Sequence, residues 1–268
     1  MFDSLIICTP SMIMAFLKKI RRKRLRQRVF PTTWIDIIKK NVPLYNRLSA
    51  ADQLELHGHM QIFLAEKYFE GCAGVTITEE IRVTIAAQAC ILLLHRKTGY
   101  YPKLISILVY PNAYLAHHRE RHASGLVTEE IQQRLGESWS HGTVVLSWDN
   151  VRAGAADAQD GHNVVYHEFA HQLDIEDGQQ ADGSVILPRR SMYIAWARIL
   201  GQEYVALKRA VAAGRKTVLD SYATTSPAEF FAVATECFFE TPVLLKKKHP
   251  ELYEELKLYY QQDPADLR

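Results

Sequence analysis

The sequence predicts an α+β protein: one compact domain, mostly helical, with a small mixed sheet. Apolar residues recur at helical spacing over most of the 268 residues, a few short β-branched runs interrupt them, and no repeat or low-complexity linker divides the chain after residue 30. With 48% apolar and 23% charged residues, the composition is that of a soluble globular protein with enough chain for a sizeable core.

Residues 1–30 read as a basic, flexible leader and residues 31–268 as the domain. The apolar run from Leu5 to Leu17 is too short to span a bilayer, is broken by Pro10 and has no basic residue ahead of it, so it is a poor signal peptide. Lys18 to Arg28 then places eight Lys/Arg in eleven residues. Beyond residue 28 the chain has 24 basic and 29 acidic groups, so the near-neutral total hides a body of about −5 and a tail of opposite sign. Attachment of this tail to anionic lipid ranks below a solvated leader, and nucleic-acid binding ranks lower still, because no groove-reading module accompanies the run.

Along the body, Ser49 precedes a helix to about Phe69, and Thr78 precedes another to about Lys97 with Gly99 beyond it. Leu104 to Tyr110 reads as a strand stopped by Pro111, and Thr143 to Trp148 as a second. The second could be an edge strand that pairs with an extended peptide, or an ordinary internal one. Helices are expected at about 160–174, Met192–Ala213 and 226–239, and after Pro250, where Tyr253, Leu256, Tyr259 and Tyr260 offer an apolar face. His118 and His122, four apart among Arg119, Glu120 and Arg121, read as a solvated helix face rather than a metal site, and His57, His59, His95 and His162 carry no role. Cys8, Cys72, Cys90 and Cys237 lack C-x-x-C spacing and suit reduced thiols and a cytoplasmic location.

The helix at 160–174 holds the most specific signal, GHNVVYHEFAHQLD. Four residues advance about 400° on a helix, so His167 and His171 share a face about 6 Å apart, and one Zn²⁺ at about 2.0–2.1 Å from each nitrogen can bridge them. Glu168, beside the first histidine, is placed to act as general base. The plain alternative is a histidine pair satisfied on an amphipathic helix. A third ligand would decide, and DSYATTSPAEFFAVATECFFE offers Glu229 and Glu236. Ser226-Pro227-Ala228-Glu229 is also a capping box, in which Glu229 would reach back to the Ser226 amide. Glu236 is then either the ligand or an acceptor that orients a histidine.

These segments, with ESWSHGTVVLSWDNV and YYQQDP, resemble the Mlc titration factor A family of bacterial zinc peptidases over most of the chain from about Pro31, and the core resembles the zinc domain of anthrax lethal factor. The family pattern HExxHxxD followed by Tyr-x6-Glu falls on His167, Glu168, His171, Asp174, Tyr222 and Glu229. The resemblance implies a zincin-like metallopeptidase domain with one zinc held by His167, His171 and Glu229. It implies Glu168 as base, Tyr222 as hydrogen-bond donor to an oxyanion and Asp174 as acceptor from a ligand histidine. Aminopeptidase-like cleavage of short peptides is the activity it suggests, together with a regulatory role through binding a glucose-responsive transcriptional repressor. Its alternative is a protein that sequesters an Mlc-like transcriptional repressor and carries a structural or idle zinc. Direct nucleic-acid binding is expected in neither case.

Overall fold

The computed structural model describes residues 10–112, 114–121, 127–134, 136–139, 142–156, 160–178 and 180–267. Residues assigned to a flexible leader by their charge form helix α1 (Pro10–Arg26) instead. Its C-terminal half is pinned to the body: the Arg22 guanidinium donates two hydrogen bonds to Glu66, at 2.8 and 2.7 Å, and a third to the Gly99 carbonyl at 2.9 Å. Leu25, 6% exposed, joins the core beside it. Charge alone marked this run as leader, but an arginine that finds a carboxylate and a carbonyl together becomes an anchor. Cys8 and the rest of residues 1–9 lie outside the described residues.

Helix α2 (Thr32–Asn41) follows Pro31 and ties to the body through the Asn41 amide, which donates to Glu80 and Thr84 at 3.0 and 2.9 Å. Helix α3 (Ala50–Glu66) is capped by the Ser49 hydroxyl, which accepts from the Asp52 amide. It ends short of Phe69, because Tyr68–Gly71 leaves the helix to form strand β1. Helix α4 (Glu79–Ile91), capped by Thr78, also ends early, and the chain then turns through left-handed His95, Tyr100 and Tyr101. The buried Lys67 ammonium clamps this turn by donating to the Tyr101 and Leu104 carbonyls at 2.7 Å each, and burial pulls its pKa down to about 8.

Four strands form one sheet: β1 (Tyr68–Gly71), β2 (Ser106–Tyr110), β5 (Gly136–Trp139) and β6 (Thr143–Ser147), in the order β1-β2-β6-β5. The first three in that order are parallel, with Tyr68 opposite Ser106 and Ser106 opposite Thr143, and β5 runs antiparallel to β6. The 143–147 strand is therefore internal, and the edge near it is β5. Strands β3 (Tyr114–Arg121) and β4 (Val127–Arg134) form a separate antiparallel pair that sets His117 opposite Ile131 and His118 opposite Glu130. The helical reading of His118 is thus corrected: strand pairing, a non-local interaction, overrides a charged sequence with little β propensity. His122 lies outside the described residues.

Helix α5 (Trp148–Ala156) starts where β6 stops, and α6 (Val164–Asp174) crosses the sheet, its Phe169 ring 5.7 Å from Phe63 and 4.8 Å from Tyr101. Helices α7 (Tyr193–Ala212), α8 (Pro227–Glu240), α9 (Pro242–Lys248) and α10 (Pro250–Tyr260) complete the order. The expected apolar face of α10 is buried, with Tyr253, Leu256, Tyr259 and Tyr260 at most 1% exposed. Cys90 and Cys237 are buried free thiols, and the free thiol of Cys72 is half-buried.

Gly183 joins three helices. Its N–H donates to Asp174 at the end of α6 at 2.8 Å, and its carbonyl accepts from the Trp196 indole of α7 at 3.1 Å. Its φ of +82° is left-handed, and a Cβ there would sit 2.8 Å from the Pro227 carbonyl oxygen at the start of α8. Gly183→Ala is expected to lower the free energy of unfolding by about 2 kcal/mol or more, read by equilibrium urea denaturation. Unchanged stability would mean that the three helices do not depend on this close approach.

Candidate metal centre

The site is built by α6 lying against α8, with the turn before α8 at its rim. Asn163 starts α6: its side-chain oxygen accepts from the Val165 and Tyr166 amides at 3.0 Å each, satisfying two donors that the first helical turn leaves open. Its amide nitrogen donates to Gln88 and Glu240, both at 2.8 Å, so the start of α6 is fixed to α4 and to the end of α8. Three turns of α6 then carry His167, Glu168, His171 and Asp174.

Helix α8 begins as the Ser226-Pro227 pair requires, with the Ser226 hydroxyl accepting from the Glu229 amide at 3.2 Å. The Glu229 carboxylate points to the histidines, with Oε2 at 2.9 Å from His167 Nε2 and 3.3 Å from His171 Nε2. The two histidine Nε2 atoms are 3.3 Å apart. The capping-box conflict is resolved by division: the main chain of Glu229 uses the serine, and its side chain is left for the site.

These three separations fit a metal. An ion about 2.0–2.1 Å from each of three tetrahedral ligands sets neighbouring donor atoms about 3.3 Å apart, and here the donors lie within 4.8 Å of one another. The histidines are 14% and 11% exposed and Glu229 20%, so the donor set is shielded but reachable from solvent. Burial disfavours charge on His167, yet hydrogen bonds to Glu229 and Glu236 hold its pKa well above the usual histidine value. For Glu229 burial is again unfavourable, and the two histidines outweigh it, drawing its pKa far below the usual carboxylate range.

Glu236, two turns along α8 from Glu229, accepts from His167 Nδ1 at 2.8 Å through Oε1 and from the Asn163 main-chain N–H at 2.6 Å through Oε2. It therefore turns the Nε2 edge of His167 toward Glu229 and His171, the orienting role left open between ligand and acceptor by the sequence. Asp174 is differently placed. Its Oδ2 accepts from Gly183, burial raises its pKa to about 6, and His171 Nδ1 has no hydrogen-bond partner among the described residues. Glu168 is buried on α6, and its charge adds to the field at His167. Tyr222 stands at the open rim, 54% exposed, its ring centroid 6.0 Å from that of His167. Its turn is held by Asp220, which accepts from the Tyr222 amide at 2.7 Å, and by the Tyr204 hydroxyl, which donates to the Thr224 carbonyl at 3.1 Å.

Sequence reasoning passed over Asn163 as a link to α8, and over Gln88 and Glu240, since a cap residue does not announce its distant partners. It also gave no role to His59 and His95. His95 Nε2 is 3.0 Å from Asp52, and His59 Nε2 is 3.1 Å from Glu55, in a second group that holds Asp52, Glu55 and His95 within ligand distance of one another. These side chains are engaged with each other and with α1, where Arg26 lies 3.4 Å from His59 Nδ1.

Burial raises the pKa of Glu240 to about 9, with Asp160 and Glu236 adding negative charge nearby. The unfolded carboxyl ionises near 4.5 and the folded one only near 9, so stability falls as pH rises between those values. Glu240→Gln is expected to stabilise the fold on the order of 1–2 kcal/mol more at pH 8 than at pH 5, measured by thermal melting at both. An equal effect at both pH values would mean that the folded carboxyl is ionised.

Comparison with known proteins places the chain in a family. The chain matches the model of the glucose-regulated metallopeptidases M90 over residues 17–261. It is 41% identical over 245 residues to the protein slr2042 of Synechocystis, covering 91% of this chain and 89% of that one. It is 31% identical over 233 residues to Mlc titration factor A of Klebsiella pneumoniae, covering 85% of each chain. It is 30% identical over 238 residues to Mlc titration factor A of Salmonella arizonae, covering 87% of this chain and 91% of that one. The match runs from α1 to the end of α10 and spans both helices of the donor cluster, so the chain belongs to the M90 family of glucose-regulated metallopeptidases.

Proposed function

We propose that the chain is a zinc-dependent peptidase of aminopeptidase type, with zinc held by His167, His171 and Glu229. The convergence of these three donor groups carries the reading. Two neutral imidazoles and one carboxylate are the donor set of a catalytic zinc, which keeps a further position open for water or substrate. Bound there, zinc supplies a Lewis acid that polarises the scissile carbonyl and makes water more acidic.

The chain's own residues do the rest. Glu168 takes the proton from the attacking water and returns it to the leaving amine, a task suited to a carboxylate sheltered beside the ligand histidine. Tyr222 donates its hydroxyl proton in a hydrogen bond to the carbonyl oxygen as that atom gains charge, and its exposed position at the rim leaves room for substrate. Glu236 keeps His167 oriented by accepting from Nδ1. Strand β5 ends the sheet and lies against α6, so an extended peptide can add to its outer edge with its backbone beside the cluster. Free thiols at Cys72, Cys90 and Cys237 fit a cytoplasmic location.

A second role has its own support. Two relatives that cover most of this chain carry the name Mlc titration factor A, which favours binding of an Mlc-like repressor beside, or in place of, peptide hydrolysis. The two readings separate at Glu168 and Tyr222, which a repressor-binding surface does not require.

In hydrolysis of a panel of short peptides and aminoacyl amides, Glu168→Ala with its metal in place should lose at least about a thousandfold in kcat, and Tyr222→Phe about tenfold to a hundredfold. Wild-type protein as inactive as Glu168→Ala would remove the peptidase reading. For the metal itself, Glu229→Ala should abolish stoichiometric zinc, whereas Glu236→Gln should weaken zinc about tenfold to a hundredfold. Isothermal titration measures both, and full zinc retention by Glu229→Ala would remove Glu229 from the ligand set.

A further inference from the structure

The N-terminal helix divides along its length. From Arg22 onward one face of α1 is committed to the body: Arg22 binds Glu66 and lies over the Tyr100 ring with its guanidinium carbon 4.5 Å from the centroid, Leu25 is buried, and Arg26 donates to the Tyr100 hydroxyl. On the opposite side Ile13, Phe16, Leu17 and Ile20 recur at i, i+3, i+4 and i+7, the spacing of one helical face, and Lys23 and Arg24 continue the same stripe. Ile13, Met14, Phe16 and Leu17 are 47%, 69%, 63% and 54% exposed, and nothing among the described residues covers them. Four large apolar side chains are thus held outward on a helix whose other end is bolted to the core, beside exposed Lys18, Lys19, Lys23 and Arg24.

We propose that α1 is an interfacial membrane anchor that lies in the headgroup region of an anionic bilayer, with Phe16 and Leu17 inserted and the neighbouring cations on lipid phosphates. The charge pattern selects this occupant. The tail is strongly cationic while the rest of the chain carries about −5, so an anionic surface attracts α1 and repels the body, which orients the molecule. A second copy of the chain would instead crowd the same cations into one interface. An acidic protein or nucleic acid would satisfy the lysines and arginines but leaves the apolar half without a partner. At 17 residues α1 is about 25 Å long, less than the roughly 30 Å of hydrocarbon a span requires, and no described helix is long and apolar enough to cross a membrane. The sequence favours a solvated leader and ranks lipid attachment below it; a docked helix with its apolar side chains exposed reverses that order.

The test is flotation of the full-length protein with vesicles of phosphatidylcholine, and with vesicles containing about one-third phosphatidylglycerol. The protein should float with the anionic vesicles and remain in solution with the neutral ones. Phe16→Glu combined with Leu17→Glu should lower the partition coefficient about tenfold or more, and Lys23→Glu combined with Arg24→Glu should do the same. Circular dichroism should report unchanged helix content in both pairs, whose side chains are exposed. Failure to float with either vesicle overturns the proposal, as does anionic binding that survives Phe16→Glu with Leu17→Glu, which would be charge attraction alone. A dimer in sedimentation velocity that this same pair dissolves, without vesicle binding, overturns it in favour of a second copy. None of these readouts uses peptide hydrolysis, so the anchor and the proposed catalysis stand or fall separately.

Discussion

One carboxylate, Glu236, ties the site together. Its two oxygens accept from the Nδ1 edge of His167 and from the main chain of Asn163, so a single side chain on α8 fixes both a histidine ring on α6 and the first turn of that helix. A histidine has two nitrogens and one ring plane, and holding one nitrogen sets where the other points. With Nδ1 spoken for, Nε2 faces Glu229 and His171. The same carboxylate sits 5% exposed, where an unpaired negative charge would be costly, so its two donors are also what makes its burial tolerable. Site geometry and helix packing are here one set of hydrogen bonds.

What could be read in the sequence was mainly local. Ser49, Thr78 and Ser226-Pro227 mark helix starts, and in the fold each hydroxyl accepts from the amide three residues on, because a cap is decided within one turn of chain. His167 and His171 face the same way for the same reason, four residues being one turn. The residues that complete the cluster arrive from 62 and 69 positions along the chain, and their pairing depends on how two helices pack. Glu229 shows the limit well: a capping box and a carboxylate aimed at the two histidines are written with the same letters, and only the direction of the side chain separates them.

The misreadings have a common origin. The helix expected to about Phe69 takes in the first two residues of β1, because four residues of mixed polarity carry little strand signal, and β1 exists through its parallel pairing with β2. Residues 114–121 hold a run of histidine, arginine and glutamate that reads as a polar helix, yet they pair along their whole length with residues 127–134. The 143–147 strand was legible as a strand, while its internal position required a partner on each side that no local pattern supplies. The basic run is legible as charge but not as structure, since Arg21, Arg22 and Arg26 find hydrogen-bond partners on the body and Leu25 between them is buried.

Helix α8 has a further consequence for how this chain can change. Glu229, Glu236 and Glu240 fall at intervals of seven and four, so they line one side of a straight rod and meet, in turn, both histidines, the back of His167 and Asn163. Adding or removing a single residue between Glu229 and Glu240 would rotate everything beyond it by about 100° and uncouple contacts at both ends. The invariant of this segment is therefore its length, and change by insertion is confined to its flanks.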